Sequence, residues 1–484
     1  MKRSDHYSLF SFRDRYFRIF LVITAVFIGF KIPSLHLPYF WDEAWSYIPA
    51  VTDLYRNGPS MLPSALPPEI SRGHPLLFYF LAATWMKIFG TAPIAMHSFA
   101  MVISISLLLV MYTAGRKIFN PETGLFSVAF LCLQEIFIAQ SSFVLPEIML
   151  ALWTLLSVYL FVRKKYAWFI FFSSLMLLTK ETGIAILFSI GVWTAAHSLW
   201  SRELFKAVFW KKAGLIFLPV MIASVFFIIQ YYTYGWFFFP EHVGMMHFDA
   251  GSIRELLRYF FYILFIQQGK DLFSITVLIA GVLILIRWIK ERKELLHDSQ
   301  LQFTGMAVSC IICMFAFSSV NYFTYRYLLC LFPFYFLLGS YFILMAFPVN
   351  RKLSWVIFVM LLSWFLKYDL QTDPPYDSNT SYADGIRIQQ AVTSYAEQNN
   401  LYERQICVSF LYHFCLGNPD VKFLSTSRKF THLTMDLNCD AEYIVHSSIE
   451  ENPRFPEIEK QCRLSLLKRF RKGKAWAEIY RIEK

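Results

Sequence analysis

Between residues 17 and 366 the chain is a succession of uncharged apolar runs, each close to the ~20 residues an α-helix needs to cross a hydrocarbon core. The runs lie at 17–35, 94–114, 123–139, 147–162, 166–179, 183–199, 213–232, 272–289, 303–320, 328–347 and 353–366. They predict an α-helical polytopic membrane protein with about eleven spans. Two further stretches, 74–89 and 253–268, are aromatic-rich and carry scattered charges. A full crossing by either would invert the charge assignment of every later loop, so both are expected to lie as helices at the outer interface. Past residue 367 the texture changes. A polar helical period over 384–397 precedes strand-like runs at 405–414, 421–424, 442–446, 464–470 and 476–482, the pattern of a small soluble α/β domain. Thr372-Asp373-Pro374-Pro375 reads as the linker, giving a membrane domain over 1–367 and a second domain over 368–484.

Composition sharpens this picture: 56% hydrophobic and only 16% charged residues exclude an ordinary soluble protein. The net charge of +11 is of the size seen in nucleic-acid binders, but its distribution argues against such a partner. Basic residues cluster in alternate loops: Lys2, Arg3, Arg13, Arg15 and Arg18 at the start, then Arg116/Lys117, 163–165, 202–212, 287–293 and Arg351/Lys352. This is the bias of cytoplasmic loops. The first run lacks a small-residue cleavage site and reads as a retained anchor. The N-terminus is then cytoplasmic, and an odd number of spans puts the C-terminal domain outside, as expected of a protein in a bacterial-type inner (plasma) membrane. Cys132, Cys310, Cys313 and Cys330 fall in apolar spans and read as buried thiols, the Cys310-x-x-Cys313 spacing lacking a second ligand pair. Cys407, Cys415, Cys439 and Cys462 fall in the outer domain and allow three pairings.

Ionisable groups collect in the outer loops, beside the membrane, where they are costly unless they work. Phe40-Trp41-Asp42-Glu43-Ala44-Trp45 sets two carboxylates between tryptophans, and a carboxylate there is able to take a proton from an acceptor hydroxyl or amine. Arg72-Gly73-His74-Pro75 puts a cation and an imidazole ahead of a proline-started helix, whose start favours anions. Leu145-Pro146-Glu147 sets a third carboxylate at the outer end of a span. Lys180, in Thr179-Lys180-Glu181-Thr182-Gly183, is able to hold a phosphate, although a Lys180/Glu181 surface pair accounts for the same residues. Glu241-His242 pairs a carboxylate with an imidazole, a combination suited to a divalent metal ion, and Arg326-Tyr327 opens a proline-bearing span.

In this order, Asp42-Glu43, His74-Pro75, Pro146-Glu147, Lys180 and Arg326-Tyr327 resemble the GT-C superfamily of membrane glycosyltransferases. The resemblance is to the branch containing protein O-mannosyltransferases and the lipid A aminoarabinose transferase, over roughly residues 15 to 345. It implies a sugar transfer from a polyprenyl-phosphate-linked donor to a lipid, glycan or protein acceptor at the extracytoplasmic face, with inversion at the anomeric carbon and either a hexosyl or a pentosyl group moved. It further implies Asp42, Glu43, Glu147 and His74 as catalytic residues, and Lys180, Arg326, Arg72 and Tyr327 around the donor phosphate. Glu241 and His242 resemble the pair that approaches a metal, with Gly73 standing where the branch has an acidic residue. The resemblance does not extend to the C-terminal domain. The rival reading is a transporter or flippase of a lipid-linked or anionic substrate; against it, the chain has no duplicated halves and its charges sit in loops instead of span centres.

Overall fold

The computed structural model describes residues 12–291, 296–348, 350–369 and 374–483. Lys2, Arg3, Arg292 and Lys293 of the basic clusters, and Thr372 and Asp373 of the expected linker, lie outside the described residues. Every run expected to cross is helical. Among the described residues, seven helices are long and apolar enough to span a membrane: Arg15–Ser34, Pro93–Ile118, Glu181–Trp200, Ala207–Tyr234, Lys270–Glu291, Asp298–Ser318 and Tyr325–Ala346. Pro146–Val162 and Tyr166–Thr179 are apolar but shorter. The run expected over 123–139 is divided into Pro121–Cys132 and Glu135–Gln140. The break falls at Gln134, whose backbone is extended and whose side-chain oxygen receives the Lys270 ammonium at 3.3 Å, while Glu135 accepts from Gln268 at 2.7 Å. Two buried polar residues in mid-run thus mark a change of direction.

The helices pack closely where the sequence allows it. Asn120 caps the start of Pro121–Cys132 by accepting from the Thr123 amide at 2.8 Å, which turns the chain back on itself. A Cβ on Gly115 would sit 2.6 Å from the Gly124 Cα, so a glycine pair lets these two helix backbones touch. The two interfacial candidates form helices at Leu77–Phe89 and Ala250–Phe265, the second burying Phe260, Ile263 and Leu264 and exposing Tyr259, Phe261 and Tyr262.

The first helix is pinned at both ends. Asp14, its N-cap, pairs with Arg116, and Tyr16 donates to Glu122 at 2.7 Å. At the other end Lys31, wholly enclosed, donates to the Ile138 carbonyl at 2.6 Å and to the Tyr382 hydroxyl at 2.8 Å. Tyr382 begins the first helix of the C-terminal domain, so that domain sits at the end of the bundle opposite Arg116.

The C-terminal domain is a five-stranded mixed sheet: β1 (Ile406–Cys407), β2 (Leu433–Thr434), β3 (Tyr443–Ser447), β4 (Leu464–Lys472) and β5 (Ala475–Ile482), in the order β2-β1-β3-β5-β4. β1 lies parallel to β2 and β3, and β5 runs antiparallel to β3 and β4. The strand expected over 405–414 ends after Cys407, and Phe410–Gly417 is a helix; 421–424 is not a strand, while the two-residue β2 was not foreseen. Cys439 and Cys462 form a disulfide; Cys407 and Cys415 stay free and buried. The domain does not hang from a tether. Tyr382, Ile386, Leu411, Val421 and Ile449 share one apolar cluster with the helix bundle, Tyr39 N–H donates to the Val421 carbonyl at 3.2 Å, and Arg56 meets Asp420 at 3.0 Å.

Candidate active site

The loops at the domain-bearing end converge. After Phe40 the backbone turns through a left-handed Trp41 (φ 53°), an unusual conformation for a bulky residue, with the Trp41 ring edge-on to Tyr376 at 4.6 Å. Asp42 then opens a π-helical turn over Glu43–Tyr47, which runs into the helix Ile48–Asn57. Its carboxylate accepts from the Trp45 indole at 2.8 Å and pairs with the Arg326 guanidinium. Glu43 faces the other way. Fully buried, it accepts from the amides of Phe40 (3.2 Å) and Val144 (2.6 Å) and lies 3.5 Å from His97 Nε2. It braces two loops, and it is not among the residues that line the cavity described below.

Glu147 occupies the first turn of Pro146–Val162 behind a proline at N1. Lys180 Nζ donates to its Oε1 at 3.0 Å and lies 3.8 Å over the Tyr327 ring. Arg326 is the hub: Nε lies 3.3 Å from Glu147, one terminal nitrogen binds Asp42 and the other Asp377. Asp377 belongs to the segment that leads into the C-terminal domain and was not among the expected site residues. Its carbonyl accepts from the Gln140 amide at 2.8 Å. Three carboxylates thus share two cations in a space where Glu147, Lys180, Arg326 and Asp377 are each at most 3% exposed. Burial pushes the Asp377 carboxyl up to about 6 despite the opposing pull of Arg326, and the Asp42 charge adds to the rise.

A second group adjoins the first. Pro68–Ser71 ends at a left-handed Arg72 (φ 52°), followed by Gly73 at φ 69°. A Cβ on Gly73 would meet Phe239 and Trp236 at 2.9 Å, so only glycine fits between this turn and the loop that carries His242. The double turn brings Arg72 and His74 to the same wall. His74 Nδ1 lies 2.9 Å from Glu181, its ring 5.2 Å from that of His242, and Arg72 Nε donates to His242 Nε2 at 3.3 Å. Ligand atoms of His74, Glu181 and His242 all fall within 4.8 Å of one another. This is an N2O donor set, suited to zinc or manganese. Burial, and then the neighbouring His74, hold the His242 imidazole at about 4, so it stays neutral, with the Nε2 lone pair facing Arg72 in the absence of a metal. Glu241, expected beside His242 as a ligand, is instead an exposed partner of Arg72 at 3.4 Å. Glu181, which the sequence offered only as a surface partner of Lys180, takes its place.

Between the two groups lies a cavity of about 410 Å³. Its lining is mixed, with the polar residues Arg72, His74, Lys180, Glu181, His242 and Tyr327 and apolar ones such as Phe238, Met246, Met314 and Phe317. Asp42, Glu147 and Arg326 stand behind that lining, joined to it through Lys180 and Tyr327.

Residues 72–240 match the family described as dolichyl-phosphate-mannose-protein mannosyltransferase, a segment that includes His74, Glu147, Lys180 and Glu181 but neither Asp42, Arg326 nor Asp377. No curated protein sequence is significantly similar to the chain. Among solved structures, ArnT from Cupriavidus metallidurans in the apo state superposes with a TM-score of 0.55 at 13% identity, over 95% of this chain and 97% of that one. The same protein bound to undecaprenyl phosphate gives 0.55 at 14% identity, over 98% of each chain. With the matched family segment inside it, the chain is built on an ArnT-like fold along nearly its whole length.

Proposed function

We propose that this protein transfers a sugar from a polyprenyl-phosphate carrier to a lipid, glycan or protein acceptor at the extracytoplasmic face of a bacterial-type inner membrane. The observation that carries the reading is the mixed lining of the cavity: cationic Arg72 and Lys180 together with aromatic and methionine side chains match an amphiphile with a phosphodiester head and an isoprenoid tail. Undecaprenyl phosphate is the molecule bound in the ArnT structure of like fold. Orientation is supported by the Cys439–Cys462 disulfide, which suits an oxidising compartment, and by the basic loops at the other end of the bundle.

In the proposed reaction Asp42 takes the proton of the acceptor hydroxyl or amine as that atom bonds to the anomeric carbon, while the bond from the anomeric carbon to the phosphate oxygen breaks. Polyprenyl phosphate leaves with the electron pair, and Lys180 and Arg72 stabilise its growing charge. Direct displacement inverts the anomeric centre. Glu147 holds Lys180 and Arg326 in register, and Glu43 acts at a distance, by holding the Asp42 loop. His74, Glu181 and His242 are the residues to hold a divalent metal ion, which when bound would add positive charge beside the phosphate. The test is Asp42→Asn in the full chain, assayed with purified polyprenyl-phosphate sugars. Transfer should fall by roughly 10²-fold or more with donor affinity kept. Turnover near that of the parent would reject Asp42 as the base.

A further inference from the structure

Asp377 is the one carboxylate of the buried cluster that no expectation from sequence included, and it reaches the cluster from a different part of the chain. Asp42, Glu147, Lys180 and Arg326 all come from loops and helix ends of the bundle, whereas Asp377 arrives on the segment between the last bundle helix, Arg351–Asp369, and the helix Tyr382–Gln398 of the C-terminal domain. Its seat is built: the Gln140 amide holds its carbonyl, Tyr376 beside it packs on Trp41, and the side chain is 1% exposed. The groups facing it are Arg326, Asp42 and Glu147, with the Tyr376 and Tyr322 hydroxyls nearby. Among the described residues its ion-pair partner is the Arg326 nitrogen opposite the one that binds Asp42.

One guanidinium therefore lies between two carboxylates, one of them the proposed base. A guanidinium is planar and rigid, so a partner that fixes one terminal nitrogen fixes the direction of the other. With Asp377 ionised, both terminal nitrogens of Arg326 are gripped by carboxylates and the guanidinium is fixed against Asp42; with Asp377 neutral, one side keeps only a weaker hydrogen bond and the guanidinium is freer to turn.

Resting on the transferase reading above, we infer that Asp377 is a positioning residue of the transfer reaction: by gripping one side of Arg326 it orients the Asp42 carboxylate, which makes the segment leading into the C-terminal sheet region a contributor to the active site. The raised proton affinity of Asp377 sets where this appears. The rate should climb as pH rises through about 6, where the carboxyl loses its proton.

The experiment compares the parent with Asp377→Asn and Gln140→Ala in full-length protein reconstituted in liposomes, measuring kcat and KM for a polyprenyl-phosphate sugar from pH 5 to 8.5. Asp377→Asn is a permanent stand-in for the neutral form. It should lower kcat on the order of tenfold at pH 7.5, leave the donor KM within about twofold, and flatten the limb near pH 6. Gln140→Ala loosens the seat and keeps every charge, so it should lower kcat about threefold without moving the limb. An Asp377→Asn protein with the parent's kcat and pH profile overturns the inference while the transferase reading stands. If that variant cannot be purified folded, Gln140→Ala decides alone, an unaltered rate overturning it. A parent protein that transfers no sugar from any polyprenyl-phosphate donor defeats the transferase reading, and this inference with it.

Discussion

Lys180 and Glu147 lie 33 residues apart, at facing ends of two successive helices, and meet at 3.0 Å with neither side chain more than 3% exposed. A pair so enclosed has lost its water, and the attraction between the partners does little more than offset that loss. Removing one partner is another matter, because the survivor is a charge without a solvent. Lys180→Met or Glu147→Gln alone should cost about 3 kcal/mol of stability, and the double change should recover a large part of it. Thermal unfolding of the purified variants checks this: a double variant as damaged as the sum of the singles would mean that the two side chains do not act as a pair.

The candidate-site residues to which the sequence pointed share one property. Asp42, His74, Glu147, Lys180 and Arg326 stand beside long apolar runs, where an ionisable group is conspicuous because it is expensive. Asp377 has no such background. It follows Pro374-Pro375 in polar sequence, where a carboxylate is ordinary, and only the folding of that segment onto Trp41 and Gln140 reveals it. Glu181 was misjudged for a local reason. Adjacent side chains diverge, so Lys180 turns to Glu147 and Glu181 to His74. The bundle was legible because spans are long and periodic. The C-terminal strands were less so: a short apolar run such as 405–414 fits a strand or a helix equally well, and here it is two residues of β1 followed by the helix Phe410–Gly417.

Asp377 also makes a prediction for stability, with a sign opposite to that of an ordinary salt bridge. Its folded-state value near 6 lies above the ordinary 3.8 of an unfolded aspartate. Between those values the folded protein holds the proton that the unfolded chain gives up, so the contribution favouring the fold is complete below about 3.8 and is lost as pH rises through about 6. Asp377→Asn should therefore raise Tm relative to the parent at pH 7.5 and leave it almost unchanged at pH 4. A variant less stable than the parent at pH 7.5 would mean that the Arg326 pair outweighs the burial of the charge. The combination expected, a slower but sturdier protein, is the usual cost of keeping a strained group at a working site.

The donor set of His74, Glu181 and His242 leads to a binding experiment that needs no turnover. Titration calorimetry of chelator-treated protein with Zn2+ or Mn2+ should give one site, and His242→Ala or Glu181→Gln should weaken it by at least tenfold, as loss of one ligand of three does. Glu241→Gln should stay within about twofold, because Glu241 points to Arg72 and not to the imidazoles. The reverse result, with Glu241 essential and Glu181 dispensable, would return the site to the adjacent pair suggested by the sequence.

Gly73 separates backbone geometry from side-chain chemistry at the same wall. Gly73→Ala adds only a methyl group, but at φ 69° and against Phe239 and Trp236 at 2.9 Å. The left-handed backbone alone costs about 1 kcal/mol for a residue with a Cβ, and the contact must be relieved by moving either the turn or the loop of Phe239. Both movements displace cavity groups, Arg72 and His74 in the first case and His242 in the second. The variant should therefore lose more donor affinity than its stability loss explains: KM up about tenfold with Tm down by only a few degrees. Gly281→Ala, in the helix Lys270–Glu291 where a Cβ meets nothing within 4 Å, is the control for adding a methyl group and should leave KM unchanged. If Gly73→Ala kept the parent's KM, the double turn would be a device of folding alone, and the positions of Arg72 and His74 would have to be secured by their side-chain partners.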